Sequence, residues 1–504
     1  MGRDQGGHPL LDPGNPVCPA GLQHAEDPVR VSIIGLGASG LAAARLALRE
    51  GGEVYASDLR TDDPTAATAH ELRALGAHVH LGRHDMDRIA EADTVVVSPG
   101  IPPDAPVLRA LRARGLEWVS EPEFAVRFYQ GSLIAVTGTN GKTTTAALAA
   151  HLLQAAGVDA ALGGNVGGGL APAASELALR EPAPAWYVLE VSSFQLADTR
   201  DFAPEIGVVT SLAPDHLDRY PSLEAYYRDK ARLFQNAHID SLWILNGEDP
   251  AVRDLPGDAP GVRCLFALDP SAGATDARDG EVGVCAFLRG GVLTLRIPGG
   301  DEESLLPASE LPVLGRHNLL NALGASLTAR LAGADPEGIR KGLLSFRPLP
   351  HRMEPVGERD GILWVNDSKA TNVHAARSAL ESLDRPVVLL LGGKDKGEDF
   401  RPLAPALVRH ARVAVLFGEA RVRLAQELEE ALREMGSPGR EVVAAPRLVV
   451  VSGGFDTAVA EARRRAFPGD LLLLSPACSS FDLFTNYEAR GRRFAELARG
   501  EEAA

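Results

Sequence analysis

The stretch that most constrains this 504-residue chain is Leu133-Ile-Ala-Val-Thr-Gly-Thr-Asn-Gly-Lys-Thr-Thr-Thr145. Its apolar start predicts a buried strand, its glycines a loop, and the run through Ala146, Leu148, Ala149, Leu152 and Leu153 a helix opening near Lys142. A helix N-terminus offers unpaired N–H groups at the positive end of the dipole, which makes it an anion site. Gly138 and Gly141 let the backbone close around phosphate. Lys142 can reach the outer phosphates, and the Thr143 hydroxyl can bind Mg²⁺. The strict G-x-x-x-x-G-K-[ST] pattern is not met, because position 136 is Val. A plain turn with an exposed lysine is the alternative; the full strand–loop–helix context favours the γ-phosphate of ATP or GTP.

A chain of this length implies more than one domain, and an apolar share of 45% supplies sizeable cores. The net charge of -16 argues against a nucleic-acid partner. Cys18, Cys264, Cys285 and Cys478 are scattered without metal-ligand spacing, as expected in a reducing cytoplasm. No apolar run approaches a membrane span. Residues 1–28, rich in Gly, Pro, Asp and His, lack a signal-peptide core and read as a disordered tail or a mis-set start.

Residues 29–127 open with the strand Val31-Ser-Ile-Ile and the turn Gly35-Leu36-Gly37-Ala38-Ser39-Gly40, then a helix from Leu41. A second strand ends in Asp58, the position at which a dinucleotide fold places an acid on a ribose hydroxyl. A third strand, from Thr94, runs into Ser98-Pro-Gly100-Ile, either a ligand contact at the same sheet edge or a plain turn. Taken alone, this segment reads as an NAD site. The glycine turn grips any pyrophosphate, however, and no hydride-transfer constellation accompanies it.

Residues 128–346 hold the phosphate loop and the glycine cluster Gly163 to Gly169 around Asn165. The strand Trp186-Tyr-Val-Leu ends in Glu190, an acid well placed for Mg²⁺. The strand from Ile206 leads to Asp215-His216-Leu-Asp218, where His216 could bind or orient a cation. On the helix spanning 222–236, Lys230 shares a stripe with Tyr226, Leu233 and Phe234; its residues alone suggest a snorkelling stem. Asn318 and Asn321 could read a nucleobase edge, or Asn318 could cap a helix.

Residues 347–504 follow a Pro348-Leu-Pro350 linker and alternate strands with helical patterns, which predicts a second doubly wound sheet. Its strand ends carry Asp367-Ser-Lys369-Ala-Thr371-Asn372, Lys394-Asp-Lys396 and Ser475-Pro-Ala-Cys-Ser-Ser480-Phe481. Lysines and hydroxyls at one edge suit an anionic substrate such as a dicarboxylate; solvated loop charges are the alternative.

With these motifs in place, the chain resembles the Mur ligases from about Val29 to Leu497. Thr137-Gly-Thr-Asn-Gly-Lys-Thr-Thr144 is shared with the folylpolyglutamate synthases. Asp367 to Asn372 and Ser475 to Phe484 resemble the D-glutamate-adding branch. The resemblance implies an α/β chain of three domains: a Rossmann-like UDP-binding domain, a central P-loop-type ATPase with a mostly parallel sheet, and a Rossmann-like C-terminal domain. It implies an acyl-phosphate ligation of UDP-N-acetylmuramoyl-L-alanine to D-glutamate, by a cytoplasmic monomer. ATP would meet Gly138, Thr139, Asn140, Gly141, Lys142, Thr143, Thr144, Asn318, Asn321, Arg352, Asp367 and Lys369. Two Mg²⁺ sites would use Thr143, Glu190, His216 and Lys230, the last as a carbamate. Lys142, His216 and Lys230 would serve catalysis. The UDP substrate would meet Gly35 to Gly40, Asp58, Arg60, Gly100, Asn165, Ser192 and Gln195. D-Glutamate would meet Thr371, Lys396, Ser480, Phe481 and Tyr487. Tyr487 stands where Phe is usual, and the order Gly392-Gly-Lys-Asp-Lys396 departs from the commoner Gly-Gly-Asp-x-Lys.

Overall fold

The computed structural model describes residues 28–166, 170–215, 219–272, 281–313, 315–347, 349–383, 385–435 and 446–500. Among these, strands form three sheets of five, nine and six strands. The expected tail lies outside the described residues as far as residue 27, as do His216, Asp218, Gly167 to Gly169 and Pro348.

Contacts divide the described residues into two compact units. The first holds the two N-terminal sheets. The second takes everything from Ser345 on, together with short segments around Asp215 and Leu320.

The first sheet is parallel, ordered β3-β2-β1-β4-β5, from β1 (Arg30–Ile34), β2 (Glu53–Asp58), β3 (His78–Leu81), β4 (Thr94–Val97) and β5 (Val119–Ser120). Strand β3 is absent from the sequence reading, which counted Thr94 as the start of the third strand. It is an edge strand of alternating His, Val, His and Leu with only Val79 buried, so it lacks the apolar run that marks β1 and β4. The order reverses between β1 and β4, the crevice at which such sheets receive ligands.

The second sheet runs β14-β13-β12-β11-β10-β9-β6-β8-β7. Its strands are β6 (Ser132–Thr137), β7 (Ala160–Gly164), β8 (Trp186–Glu190), β9 (Ile206–Val209), β10 (Leu242–Asn246), β11 (Val262–Phe266), β12 (Glu281–Arg289), β13 (Val292–Arg296) and β14 (Glu302–Pro307). It is parallel from β7 through β12 and antiparallel beyond. Strand β6 lies between β8 and β9, so its buried apolar run matches a fully covered central strand. One core cluster joins the first two sheets through Phe124 and the Tyr129–Tyr187 stack, whose rings lie 3.6 Å apart at 7°.

The second unit carries β15 (Glu354–Arg359), β16 (Ile362–Asn366), β17 (Val387–Gly392), β18 (Ala411–Phe417), β19 (Arg447–Val450) and β20 (Leu471–Leu474) in the order β15-β16-β20-β17-β18-β19. Separate cores on its two faces, one around Leu389 and Leu473 and the other around Leu390 and Leu472, make it doubly wound as expected. Among the described residues no helix is long and apolar enough to cross a membrane.

Candidate functional site

At the edge of the first sheet the glycine turn is shaped by contacts only glycine permits. Gly35 has φ +94, and a Cβ on Gly40 would lie 1.8 Å from the Gly35 carbonyl oxygen. Ser98 Oγ donates to that carbonyl at 2.8 Å, so the Ser98-Pro-Gly100 segment braces the loop rather than forming an idle turn. Asp58 Oδ2 accepts from the Leu36 amide at 2.8 Å, and Oδ1 accepts from the Arg60 amide at 2.8 Å. Burial would raise the Asp58 pKa, but the Arg60 side chain and these amides outweigh it and hold the carboxyl below its ordinary value. Gly35 to Gly40, Asp58 and Arg60 thus converge at one crevice. The Ala38–Arg49 helix, which begins three residues earlier than its sequence suggests, points its N-terminus there.

The phosphate loop connects β6 to the Lys142–Ala155 helix. Gly141 occupies the N-cap at φ +84, and a Cβ there would lie 2.5 Å from Asn321 Oδ1. The loop is stitched to the end of β9: the Thr139 amide donates to the Ser211 carbonyl at 2.7 Å and the Asn140 amide to Ser211 Oγ at 3.0 Å. Lys142 Nζ donates to the Thr139 carbonyl at 2.8 Å, folded over its own loop. Asn321 joins the site by accepting from Thr145 Oγ1 at 3.3 Å.

Lys230 is 1% exposed, which rules out the snorkelling reading. Its helix, Leu223–Ala231, gives way to a 3₁₀ turn at Arg232–Phe234, and both Lys230 and Tyr226 face inward. Lys230 Nζ donates to the Gly138 carbonyl at 2.7 Å and lies 4.7 Å from the Tyr226 ring centre. The odd lysine therefore touches the phosphate loop itself.

Thr143 and Glu190 are both 3% exposed. Glu190 Oε1 accepts weakly from Asn165 Nδ2 at 3.4 Å, whereas Oε2 is buried without a hydrogen-bond partner. A buried, unpartnered carboxylate oxygen near the end of a phosphate-loop sheet fits a divalent cation. Among the described residues no three His, Cys, Asp or Glu side chains cluster as a ready-made metal cage. Such a cation would draw on Thr143, Glu190 and ligand oxygens. His216, expected at the second metal, lies outside the described residues.

Ser192 and Gln195 form a capping box on the Ser193–Ala197 helix: the Ser192 amide donates to Gln195 Oε1 at 2.9 Å, and the Gln195 amide donates to Ser192 Oγ at 3.3 Å. The S-x-x-Q spacing announces this, and the sequence reading missed it. Gln195 also lines a cavity of about 290 Å³ with Ser98, Ile101, Trp118, Phe194 and Arg219, so the box fixes its side chain at a cavity wall.

In the second unit the expected residues gather at the carboxyl edge of the third sheet. Asp367 accepts from the Met353 amide at 3.2 Å and Ser475 Oγ at 2.8 Å, and burial pushes it up to about 7. Lys369 Nζ sits 3.9 Å from the Tyr487 ring centre, which brings together two residues expected on different ligands. The Thr371 amide donates to the Lys369 carbonyl at 2.8 Å. Ser480 is buried, while Phe481 is 67% exposed. Asn318 is the third residue of the Arg316–Leu331 helix, not its cap. Beside it, burial, with Arg352 and His374 nearby, pushes His317 down to about 4 and keeps the ring neutral.

One organising residue escaped the sequence reading. Arg490 is fully buried and donates to Ser368 Oγ and O, at 2.9 Å each, and to the Cys478 and Ser479 carbonyls at 3.2 Å. It bolts the Asp367–Lys369 loop to the Ser475–Ser480 loop. The available signal was its spacing four residues before Phe494 on the buried face of the Tyr487–Arg499 helix.

Family models match three successive segments: the Mur ligase MurD-like N-terminal domain at residues 29–120, the Mur ligase middle domain at 136–329, and the Mur ligase glutamate ligase domain at 351–478. The chain is 38% identical over 471 residues to a UDP-N-acetylmuramoylalanine--D-glutamate ligase of Acidobacterium capsulatum, covering 93% of this chain and 95% of that protein. A Salinibacter ruber protein of the same name is 38% identical over 477 residues, covering 93% and 97%. Among solved structures, a pseudomurein peptide ligase type C from Methanothermus fervidus matches with TM-score 0.55 at 20% identity, covering 89% of this chain and 97% of that one. A UDP-N-acetylmuramate-alanine ligase from Thermotoga maritima matches with TM-score 0.54 at 20% identity, covering 94% and 100%. These two structures share the fold. Three domains in order, and identity sustained along nearly the whole chain, leave one conclusion: the chain belongs to the Mur ligase family.

Proposed function

We propose that the chain is an ATP-dependent ligase that joins D-glutamate to UDP-N-acetylmuramoyl-L-alanine and releases ADP and phosphate, as a monomer in the cytoplasm. The observation that carries this reading is the 38% identity, over 93% of the chain, to a relative of that name. A carboxylate oxygen is a poor leaving group, so amide formation in water requires activation. The alanyl carboxylate attacks the γ-phosphorus of ATP, breaking the bond to the β-phosphate bridge and giving an acyl phosphate and ADP. The neutral amine of D-glutamate then attacks the acyl carbon. Phosphate departs with the carboxylate oxygen it gained, and the amine proton passes to a base.

The first step brings anions together, and this chain's own groups answer that problem. The loop amides and the N-terminus of the Lys142–Ala155 helix receive phosphate oxygens, and Lys142 swings from the Thr139 carbonyl onto them. Thr143 and Glu190 would hold one Mg²⁺ and His216 a second, which would supply charge neutralisation on the phosphates. Asn318, Asn321, Arg352, Asp367 and Lys369 serve ATP; Gly35 to Gly40, Asp58, Arg60, Gly100, Asn165, Ser192 and Gln195 serve the UDP substrate; Thr371, Lys396, Ser480, Phe481 and Tyr487 serve D-glutamate. Lys230 acts as a carbamate. Its amine, once deprotonated, would add CO₂ with loss of one further proton; the remaining N–H could keep its bond to the Gly138 carbonyl, and the carbamate would supply an oxygen ligand for a metal. Lys230→Ala should lose most activity and recover part of it with a short free carboxylic acid; near-wild-type activity would sink the carbamate.

The whole reading is tested by phosphate release with ATP, Mg²⁺ and UDP-N-acetylmuramoyl-L-alanine, with D-glutamate, L-glutamate, L-alanine or a diamino acid. Release requiring both the muramoyl substrate and D-glutamate is expected. Release with a different amino acid would overturn the assignment of the third domain.

A further inference from the structure

Lys396 lies in the loop after β17, and two carboxylates already flank its ammonium. Glu398 Oε1 is 3.1 Å away and Asp215 Oδ1 3.8 Å. Both acids are anchored to the opening turn of the same helix, Val373–Glu381. Glu398 Oε2 accepts from the Val373 amide at 3.0 Å. Asp215 Oδ2 accepts from Asn372 Nδ2 at 3.0 Å, and Asn372 Oδ1 accepts from the Ala375 amide at 2.7 Å. The side chains are 25%, 22% and 9% exposed for Lys396, Glu398 and Asp215, so water screens the charges only in part. One ammonium faces two carboxyl groups.

D-Glutamate brings two more carboxylates. If one of them seats on Lys396, it arrives beside Glu398 with like charge. We propose that Glu398 is a substrate-tuning residue, an internal carboxylate that holds Lys396 while the seat is empty and competes with the incoming D-glutamate for its ammonium. Glu398 presets the lysine and lowers affinity, so that only a ligand carrying its own carboxylate can compete for the seat. This inference rests on the assignment of Lys396 to D-glutamate.

The test is Glu398→Gln, which keeps the size and the acceptor for the Val373 amide but removes the charge. With ATP and muramoyl substrate saturating, the KM for D-glutamate should fall about threefold or more, because one like charge a few ångströms away is gone. The KM for ATP should not move. Lys396→Met, run in parallel, should raise the D-glutamate KM about tenfold or more. If Lys396→Met leaves that KM unchanged, the seat itself is misassigned. If Lys396→Met raises it and Glu398→Gln leaves it unchanged or raises it, Glu398 orients Lys396 without competing and the proposal is overturned. Should Glu398→Gln fail to fold, Glu398→Asp, whose carboxylate is drawn back by one methylene, should give a smaller fall; an unchanged or higher KM there overturns the proposal equally.

Discussion

Replacing Arg490 by Met should break the C-terminal site from within. The guanidinium is fully buried and serves four acceptors: Ser368 Oγ and the carbonyls of Ser368, Cys478 and Ser479. Burial pushes its pKa down to about 10, so it remains charged at neutral pH. Met fills a similar volume without a donor. The Ser368 and Cys478 carbonyls are then left in the interior at about 1–3 kcal/mol each, whereas the Ser479 carbonyl keeps the Lys394 amide at 2.9 Å. Relief from burying a guanidinium offsets part of this, as it does wherever a buried ion is replaced by an apolar side chain. The net loss expected is about 2–4 kcal/mol, because the charge itself is removed and only neutral acceptors are left behind. For a unit of this size that corresponds to a fall of roughly 5–15 °C in its melting temperature. Denaturant and thermal unfolding of wild type, Arg490→Met and Arg490→Lys measure it. Lysine keeps the charge but not the fork, so it should fall between the other two. Because Ser480 directly follows one of the acceptors, the D-glutamate KM of both variants should rise. A loss below about 1 kcal/mol for Arg490→Met would refute the argument, since the carbonyls would then have found water or other donors.

Gly40→Ala should cripple binding of the UDP substrate and destabilise the first sheet, because the new Cβ would sit 1.8 Å from the Gly35 carbonyl oxygen; a fluorescent UDP-ligand titration with unchanged affinity would contradict this. Gly141→Ala combines φ +84 with a Cβ 2.5 Å from Asn321 Oδ1, so it should cost at least ~1 kcal/mol and raise the ATP KM, read by steady-state kinetics. Burial pushes Glu121 up to about 7, and its Oε2 has no hydrogen-bond partner. A carboxyl raised on folding penalises the folded state above that pKa, and the penalty fades as pH falls through 7 toward the unfolded value. Stability should therefore rise between pH 8 and pH 5, and Glu121→Gln should flatten the rise; a wild-type curve already flat would refute it.

Much of the site was legible because its elements obey local rules. Buried central strands such as β6 and β8 show as continuous apolar runs, and the two glycine loops fall directly after strands. Lys230 shows where such reading stops. Its stripe places it on an apolar face, but periodicity cannot say whether the amine escapes to water or ends on the Gly138 carbonyl. That contact joins residues 92 apart in sequence. The same limit hid Arg490, one arginine among several in its helix, whose acceptors come from loops at 368 and 478. Strand β3 was lost for another reason: a half-exposed edge strand needs little apolar residue. Tertiary partners decide such cases, and a sequence window does not contain them.

The most direct test of ligation through an acyl phosphate is an isotope transfer. UDP-N-acetylmuramoyl-L-alanine carrying ¹⁸O in both alanyl carboxylate oxygens is turned over with ATP, Mg²⁺ and D-glutamate, and the released phosphate is weighed by mass spectrometry. One ¹⁸O is expected in each phosphate and one retained in the new amide. Unlabelled phosphate accompanying amide formation would contradict it, because the carboxylate would then never have been joined to the phosphorus.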